Sequence, residues 1–124
     1  MPPFDEYNPI VMDHFLNPRN TGELESPTHS GTVTNTKCGD MMKLTLCVGE
    51  GRIMDARAKT FGCAAAIACS SALTEWLKGL PLAEAGEITN QAIADRLGGL
   101  PDHKLECSVV AEEAVRKTLG PTLE

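Results

Sequence analysis

The stretch Lys59-Thr-Phe-Gly-Cys-Ala-Ala-Ala-Ile-Ala-Cys-Ser-Ser-Ala-Leu-Thr-Glu-Trp-Leu-Lys-Gly79 decides how this chain folds. It opens as the end of a strand, turns at Gly62, and sets Cys63 at the start of a long Ala-rich helix. Gly79 ends that helix as a C′ residue, with Pro81 just beyond. A cysteine at a helix N-terminus lies among unpaired N–H groups and the positive end of the helix dipole, which favour its thiolate. Thiolate is the form that binds metal or attacks sulfur. A small residue demanded by a tight strand-to-helix junction is the other reading, and on Cys63 alone both stay open.

Upstream of this stretch the pattern is that of short strands. Gly31 to Lys37 is rich in Thr and Val, Cys38-Gly39-Asp40 is a turn, and Lys43 to Val48 alternates. Leu44, Leu46 and Val48 fall on one face, Thr45 and Cys47 on the other. Gly49-Glu50-Gly51 makes a hairpin turn into Ile53 to Phe61, where Ile53, Asp55 and Arg57 alternate against Met54, Ala56 and Ala58. Further back, Tyr7, Ile10, Val11, His14 and Phe15 give Phe4 to Leu16 a helical spacing, with Pro9 restricting where the helix begins. Asn17-Pro18-Arg19-Asn20-Thr21-Gly22 ends it in a turn.

Downstream the chain reads as helical. Leu82 to Ala85 forms a short turn of helix, Thr89 or Asn90 caps a helix to Leu97, and Gly98-Gly99-Leu100-Pro101 breaks it. The last helix is expected to follow Cys107, with Ser108 at or near its cap. Glu112 and Glu113 come early in it and Arg116 and Lys117 late, the order the dipole prefers. The expected fold class is α+β: an N-terminal helix, then a three-stranded antiparallel sheet packed against helices, then C-terminal helices. Residues 1–124 are read as a single domain.

Composition narrows the function classes. A net charge of −6 argues against nucleic acid as a main partner, since phosphate binding needs a basic surface. No apolar run approaches the ~20 residues of a membrane span. The first residues carry neither a basic region nor an apolar core, so the expected compartment is the cytoplasm. The five cysteines are odd in number and not spaced like a disulfide framework, which in a reducing compartment points to ligands, reactive thiols or core fillers. Cys69 sits among apolar helical residues and reads as a buried small hydrophobe, and Cys47 as exposed and incidental. Cys38, Cys63 and Cys107 lie at element junctions, each beside a glycine or a cap position. Asp40 adds a hard oxygen to the Cys38 turn. Three sulfurs and one further ligand suit zinc or an iron–sulfur cluster, with isolated structural cysteines as the alternative.

Five segments carry a resemblance. They are Asp13-His14-Phe15 with Asn17-Pro18-Arg19-Asn20; Cys38-Gly39-Asp40-Met41-Met42-Lys43-Leu44; Phe61-Gly62-Cys63 with Ala66-Ile67-Ala68 and Ser70-Ser71; Thr74-Glu75-Trp76 with Lys78-Gly79; and Cys107-Ser108 with Ala111-Glu112. In this order and at these separations the chain resembles the IscU/NifU N-terminal family of iron–sulfur cluster assembly scaffolds over nearly its whole length. The resemblance implies that Cys38, Cys63 and Cys107 are cluster ligands and that Asp40 keeps the cluster labile. It implies assembly of a transient [2Fe–2S] cluster from Fe2+ and sulfur supplied by a cysteine desulfurase, delivery to apo-proteins, and Zn2+ at the same residues in cluster-free members.

Two departures stand out. The family usually has His immediately before the last cysteine, and here that position is Glu106. A carboxylate is harder than imidazole and adds negative charge, so Glu106 is open to three roles: metal ligand, weak base beside the ligands, or solvated surface group. His103, four residues before Cys107, is a candidate replacement. Leu100-Pro101-Asp102-His103-Lys104 matches only the ends of the Leu-Pro-Pro-Val-Lys motif with which related scaffolds dock an Hsp70-type chaperone. Tyr7 aligns with an N-terminal aromatic tied to dimerisation or sulfur transfer, or serves as a core residue.

The expected mechanism makes Cys107 the persulfide acceptor, because it precedes a helix and follows a flexible break, and exchange at sulfur needs access and thiolate character. No nucleotide loop or flavin motif is evident, so electrons come from a partner. The chain then reads as a carrier and not a turnover enzyme. The alternative is a zinc-binding sulfur acceptor or regulatory partner of a cysteine desulfurase.

Overall fold

The structure is a computed structural model and describes residues 7–35, 39–101 and 104–120. Helix α1 (Pro9–Leu16) precedes strands β1 (His29–Thr34), β2 (Met41–Gly49) and β3 (Arg52–Phe61). Helices α2 (Ala64–Leu77), α3 (Leu82–Ala85), α4 (Asn90–Arg96) and α5 (Leu105–Leu119) follow. The sheet is antiparallel in the order β1-β2-β3. This is the α+β layer arrangement that the segregation of strands and helices predicts. Helix α5 lies across β1 and β2, α2 across β3, and α1 packs on α2.

The β2–β3 hairpin closes on Glu50-Gly51, with φ of 54° and 76° between the paired Gly49 and Arg52. Two consecutive left-handed residues make a type I′ turn, whose twist matches that of the strands. Met42, Leu44 and Leu46 of β2 are wholly buried against Leu73, Leu77, Val110 and Val115. Burial of each such leucine contributes about 1.5–3 kcal/mol. These residues form the core between sheet and helices.

Three sequence expectations are corrected here. Ile53 does not share a face with Asp55 and Arg57: it is fully buried, as are Ala56 and Ala58 at or near zero exposure. Cys47 pairs with Asp55 but Val48 pairs with Ile53, so Met54 is an extra residue on β3. That bulge reverses the parity of the strand. The face of β2 opposite the leucines is not open to solvent either. Residues 20–28 run along the sheet, with Leu24 N–H donating to Thr45 Oγ1 at 3.1 Å, and Thr45 is 1% exposed. Cys47 is accordingly half-buried, its thiol 3.6 Å from the Ser26 carbonyl. Finally, α5 begins at Leu105, before Cys107. Ser108 is not its cap, because its hydroxyl bonds back to the Leu105 carbonyl at 2.5 Å.

The exposed edge of β3 is covered at two places, which blunts pairing with another chain. Gly22 N–H donates to Ala58 O and Ala58 N–H to Asn20 O; farther along, Ile53 N–H donates to Leu80 O and Gly79 N–H to Ile53 O. Gly79, with φ of 87°, ends α2 as expected and turns the chain onto that edge. Helix α1 starts at Pro9, the first-turn position a proline tolerates, and Asn8 caps it by accepting from Val11 N–H at 2.9 Å.

Candidate metal centre

Sheet register sets the location of the site. Thr34 pairs with Met41 and Met41 with Phe61, so the β1–β2 connection and the β3–α2 junction lie at the same end of the sheet. Asp40 belongs to the first and Cys63 to the second. Cys107, in the first turn of α5, completes the group: Asp40, Cys63 and Cys107 have one potential ligand atom each within 4.8 Å of one another. Cys63 Sγ and Cys107 Sγ are 3.4 Å apart, and Asp40 Oδ2 is 3.8 Å from the first and 3.5 Å from the second. Asp40 and Cys107 are each 3% exposed, and Cys63 is half-buried.

The two sulfurs lie within hydrogen-bonding distance of each other. Cys107 S–H donates to Cys63, which pulls the Cys63 thiol down to about 6; the first-turn Ala66 N–H and the Lys104 charge add to this, against burial and the Asp40 carboxylate. The sulfur of Cys63 makes no full capping hydrogen bond, so the amide acts through its field. Cys107 is pushed strongly up, first by that same hydrogen bond and then by burial and the Cys63 and Asp40 charges. The arrangement makes Cys63 the more acidic of the two thiols. Each of the three groups is anionic when it ligates, and Lys104 offers partial compensation. A divalent cation or a cluster supplies the remaining positive charge, and two soft thiolates with one hard carboxylate fit zinc or iron.

The other expected residues separate clearly. Glu106 is exposed, outside the three-residue group, and its carboxylate accepts from Asn35 Nδ2 at 3.3 Å. Cys69 is fully buried and burial pushes its thiol up to about 12, so it is inert filler of the α2 core as its apolar neighbours suggest. Cys38 and His103, and with them the middle of the partial chaperone motif, lie outside the described residues.

Sequence reasoning missed a polar cluster that ties α1 to α2. His14 Nδ1 is 2.7 Å from Ser71 Oγ, which also accepts from Arg19 N–H at 2.9 Å. Ser71 donating to Nδ1 leaves Nε2–H facing Glu75 Oε1 at 3.8 Å. Arg19 bonds Asp13 at 2.6 Å and lies 3.7 Å from Glu75. The signal was present in Asp13-His14 with Asn17-Pro18-Arg19-Asn20 and Ser70-Ser71, but spacing alone does not pair a helix face with a turn.

Known proteins resemble this chain in sequence and in fold. The NifU-like N terminal domain family matches residues 6–121. The iron-sulfur cluster assembly scaffold protein IscU 1 of Archaeoglobus fulgidus is 49% identical over 113 residues, 91% of this chain and 74% of its own. The IscU scaffold protein of Escherichia coli K12 is 47% identical over 118 residues, 92% of this chain and 91% of its own. Among solved structures, the N-terminal NifU-like protein of Brucella abortus aligns with a TM-score of 0.78 at 19% identity, covering 94% of this chain and 93% of its own. A putative SUF-system scaffold of Fervidobacterium islandicum aligns at 0.74 and 17% identity, covering 96% of this chain and all of its own. At those identities the solved structures bear on the fold, and the sequence matches bear on the family. With its thiol–carboxylate group at the end of a three-stranded sheet, this chain belongs to the NifU-like N-terminal domain family that includes the IscU scaffolds.

Proposed function

We propose that this chain is a scaffold on which an iron–sulfur cluster is assembled and from which it is passed on. The observation that carries the proposal is the convergence of Asp40, Cys63 and Cys107 within 4.8 Å of one another at a partly open end of the fold. Cys38, on the same connection as Asp40, is the proposed further ligand. The cargo is a [2Fe–2S] cluster built from Fe2+. The proposed compartment is the cytoplasm, and no helix among the described residues is long and apolar enough to cross a membrane.

A cysteine desulfurase supplies sulfur as a persulfide. A scaffold thiolate attacks its outer sulfur, a new S–S bond forms, and the desulfurase cysteine leaves as thiolate. The proposed acceptor is Cys107. In the closed arrangement it is the less acidic partner, so acceptance requires its proton to leave and the first turn of α5 to admit the donor. Two electrons from a partner then reduce the persulfide to sulfide and thiolate at the bound iron. Apo iron–sulfur proteins receive the product, and an Hsp70-type chaperone remains a candidate partner through Leu100-Pro101 and Lys104. The chain acts as a carrier and catalyses no turnover of its own.

Anaerobic reconstitution with Fe2+, cysteine and a desulfurase tests this reading. We expect two irons and two sulfides per cluster, and the same yield and Mössbauer spectrum for Glu106→Ala, since Glu106 bonds Asn35 and lies outside the group formed by Asp40, Cys63 and Cys107. Retention of Zn2+ with no cluster would contradict it in favour of the zinc-binding sulfur acceptor. An altered Glu106→Ala spectrum would return Glu106 to the ligand set.

A further inference from the structure

We propose that Gly62 is a positioning residue for Asp40, conserving by its lack of a side chain the space in which the ligand carboxylate lies. The glycine is not there for its backbone: Gly62 is absent from the chain's left-handed residues, and its conformation is open to any amino acid. Space is what it supplies. A Cβ built on Gly62 would collide with Asp40 Oδ1 and lie 2.7 Å from Asp40 Cγ, with Ala66 Cβ at 3.1 Å. Real side-chain atoms do not tolerate such approaches, so a methyl group here must displace something. The β3–α2 backbone is fixed by the sheet on one side and the buried face of α2 on the other. What moves is the carboxylate.

That carboxylate meets three groups. Oδ1 accepts from Cys63 N–H at 3.4 Å, and Oδ2 faces Cys63 Sγ at 3.8 Å and Cys107 Sγ at 3.5 Å. Gly62 forms the floor beneath it, immediately before the residue whose amide and thiol it meets. A side chain at this position pushes Oδ1 off the Cys63 amide and swings Oδ2 away from the sulfurs. Asp40 then stops being the third member of a compact donor set, though neither thiol has been touched. The inference rests on the reading of Asp40, Cys63 and Cys107 as a metal-binding group, but not on cluster assembly.

A double-mutant cycle tests it, with Co2+ as the probe and binding followed by thiolate-to-metal absorption under anaerobic conditions. Outer residues that orient metal ligands typically set affinity by about 10–100-fold. Gly62→Ala should weaken Co2+ binding at least about tenfold and change the ligand-field bands in the direction Asp40→Ala changes them. In the Asp40→Ala background the same Gly62→Ala change should cost no more than about twofold, because the displaced group is gone. Thermal unfolding adds a readout independent of metal: the loss of melting temperature caused by Gly62→Ala should be smaller when Asp40 is already Ala. Equal losses of affinity and stability in both backgrounds would overturn the proposal, as would unchanged Co2+ binding and spectrum in Gly62→Ala. Wild-type protein that binds no Co2+ would overturn it too. A failed cluster reconstitution alongside a coupled Co2+ cycle would instead strike the scaffold reading and leave the role of Gly62 standing.

Discussion

Two sulfurs 3.4 Å apart give Cys63 and Cys107 opposite tendencies, the first pulled toward thiolate and the second pushed toward thiol. Because Cys107 S–H donation is the largest cause of the Cys63 depression, alkylation of Cys63 by a small electrophile should show a midpoint near pH 6, reactive above it and quenched below. In Cys107→Ala that midpoint should rise toward the ordinary thiol range of ~8.5. Mass spectrometry of the alkylated peptides checks this, and an unmoved midpoint would remove Cys107 as the donor. The placement of these residues was legible because Cys63 starts a helix and Asp40 sits in a turn, positions that strand pairing brings to one end. The opposite tendencies of the two thiols were not, because they depend on a sulfur–sulfur distance across 44 residues of chain. Nor was the need for empty space at Gly62, since a glycine before a helix reads the same whether it serves backbone or room.

At the level of elements, turn chemistry was readable and parity was not. Glu50-Gly51, Gly79 and the Thr89 cap are local signals, and each acts as read. The bulge at Met54 carries no local mark, and α5 begins at Lys104-Leu105 without a capping side chain, so Ser108 drew the boundary too late. Helix α5 passes close over β1 at Gly31, where a Cβ would lie 2.7 Å from Thr118 Oγ1 and 3.0 Å from its backbone nitrogen. Gly31→Ala should therefore destabilise by about 1–3 kcal/mol through overpacking, measured by urea unfolding. On α1, burial holds His14 below its usual pKa, with Arg19 lowering it further and Glu75 and Asp13 opposing. The neutral folded form takes up fewer protons than the unfolded chain, so stability falls as pH drops below ~6.5. His14→Gln should flatten the stability-against-pH slope between pH 7 and 5.5, and an undiminished slope would assign it to other groups.

Across the whole molecule, the layer order followed from the strands preceding the helices, and the site from junctions that share one end of the sheet. What the sequence did not disclose is the strap at residues 20–28, a polar segment without periodicity that covers Thr45 on the second face. The result is a sheet-and-helix body with Asp40, Cys63 and Cys107 gathered at one end, suited to holding a cargo without enclosing it. A hard carboxylate among soft thiolates binds iron less durably than a further thiolate, which suits release. The central claim is that this chain builds a cluster in order to give it away. The most direct measurement is the rate at which reconstituted wild type and Asp40→Ala pass their cluster to an apo-ferredoxin. The account predicts transfer from wild type and slower transfer from Asp40→Ala. Equal or faster transfer from the variant, or a wild-type cluster that stays in place, would contradict it.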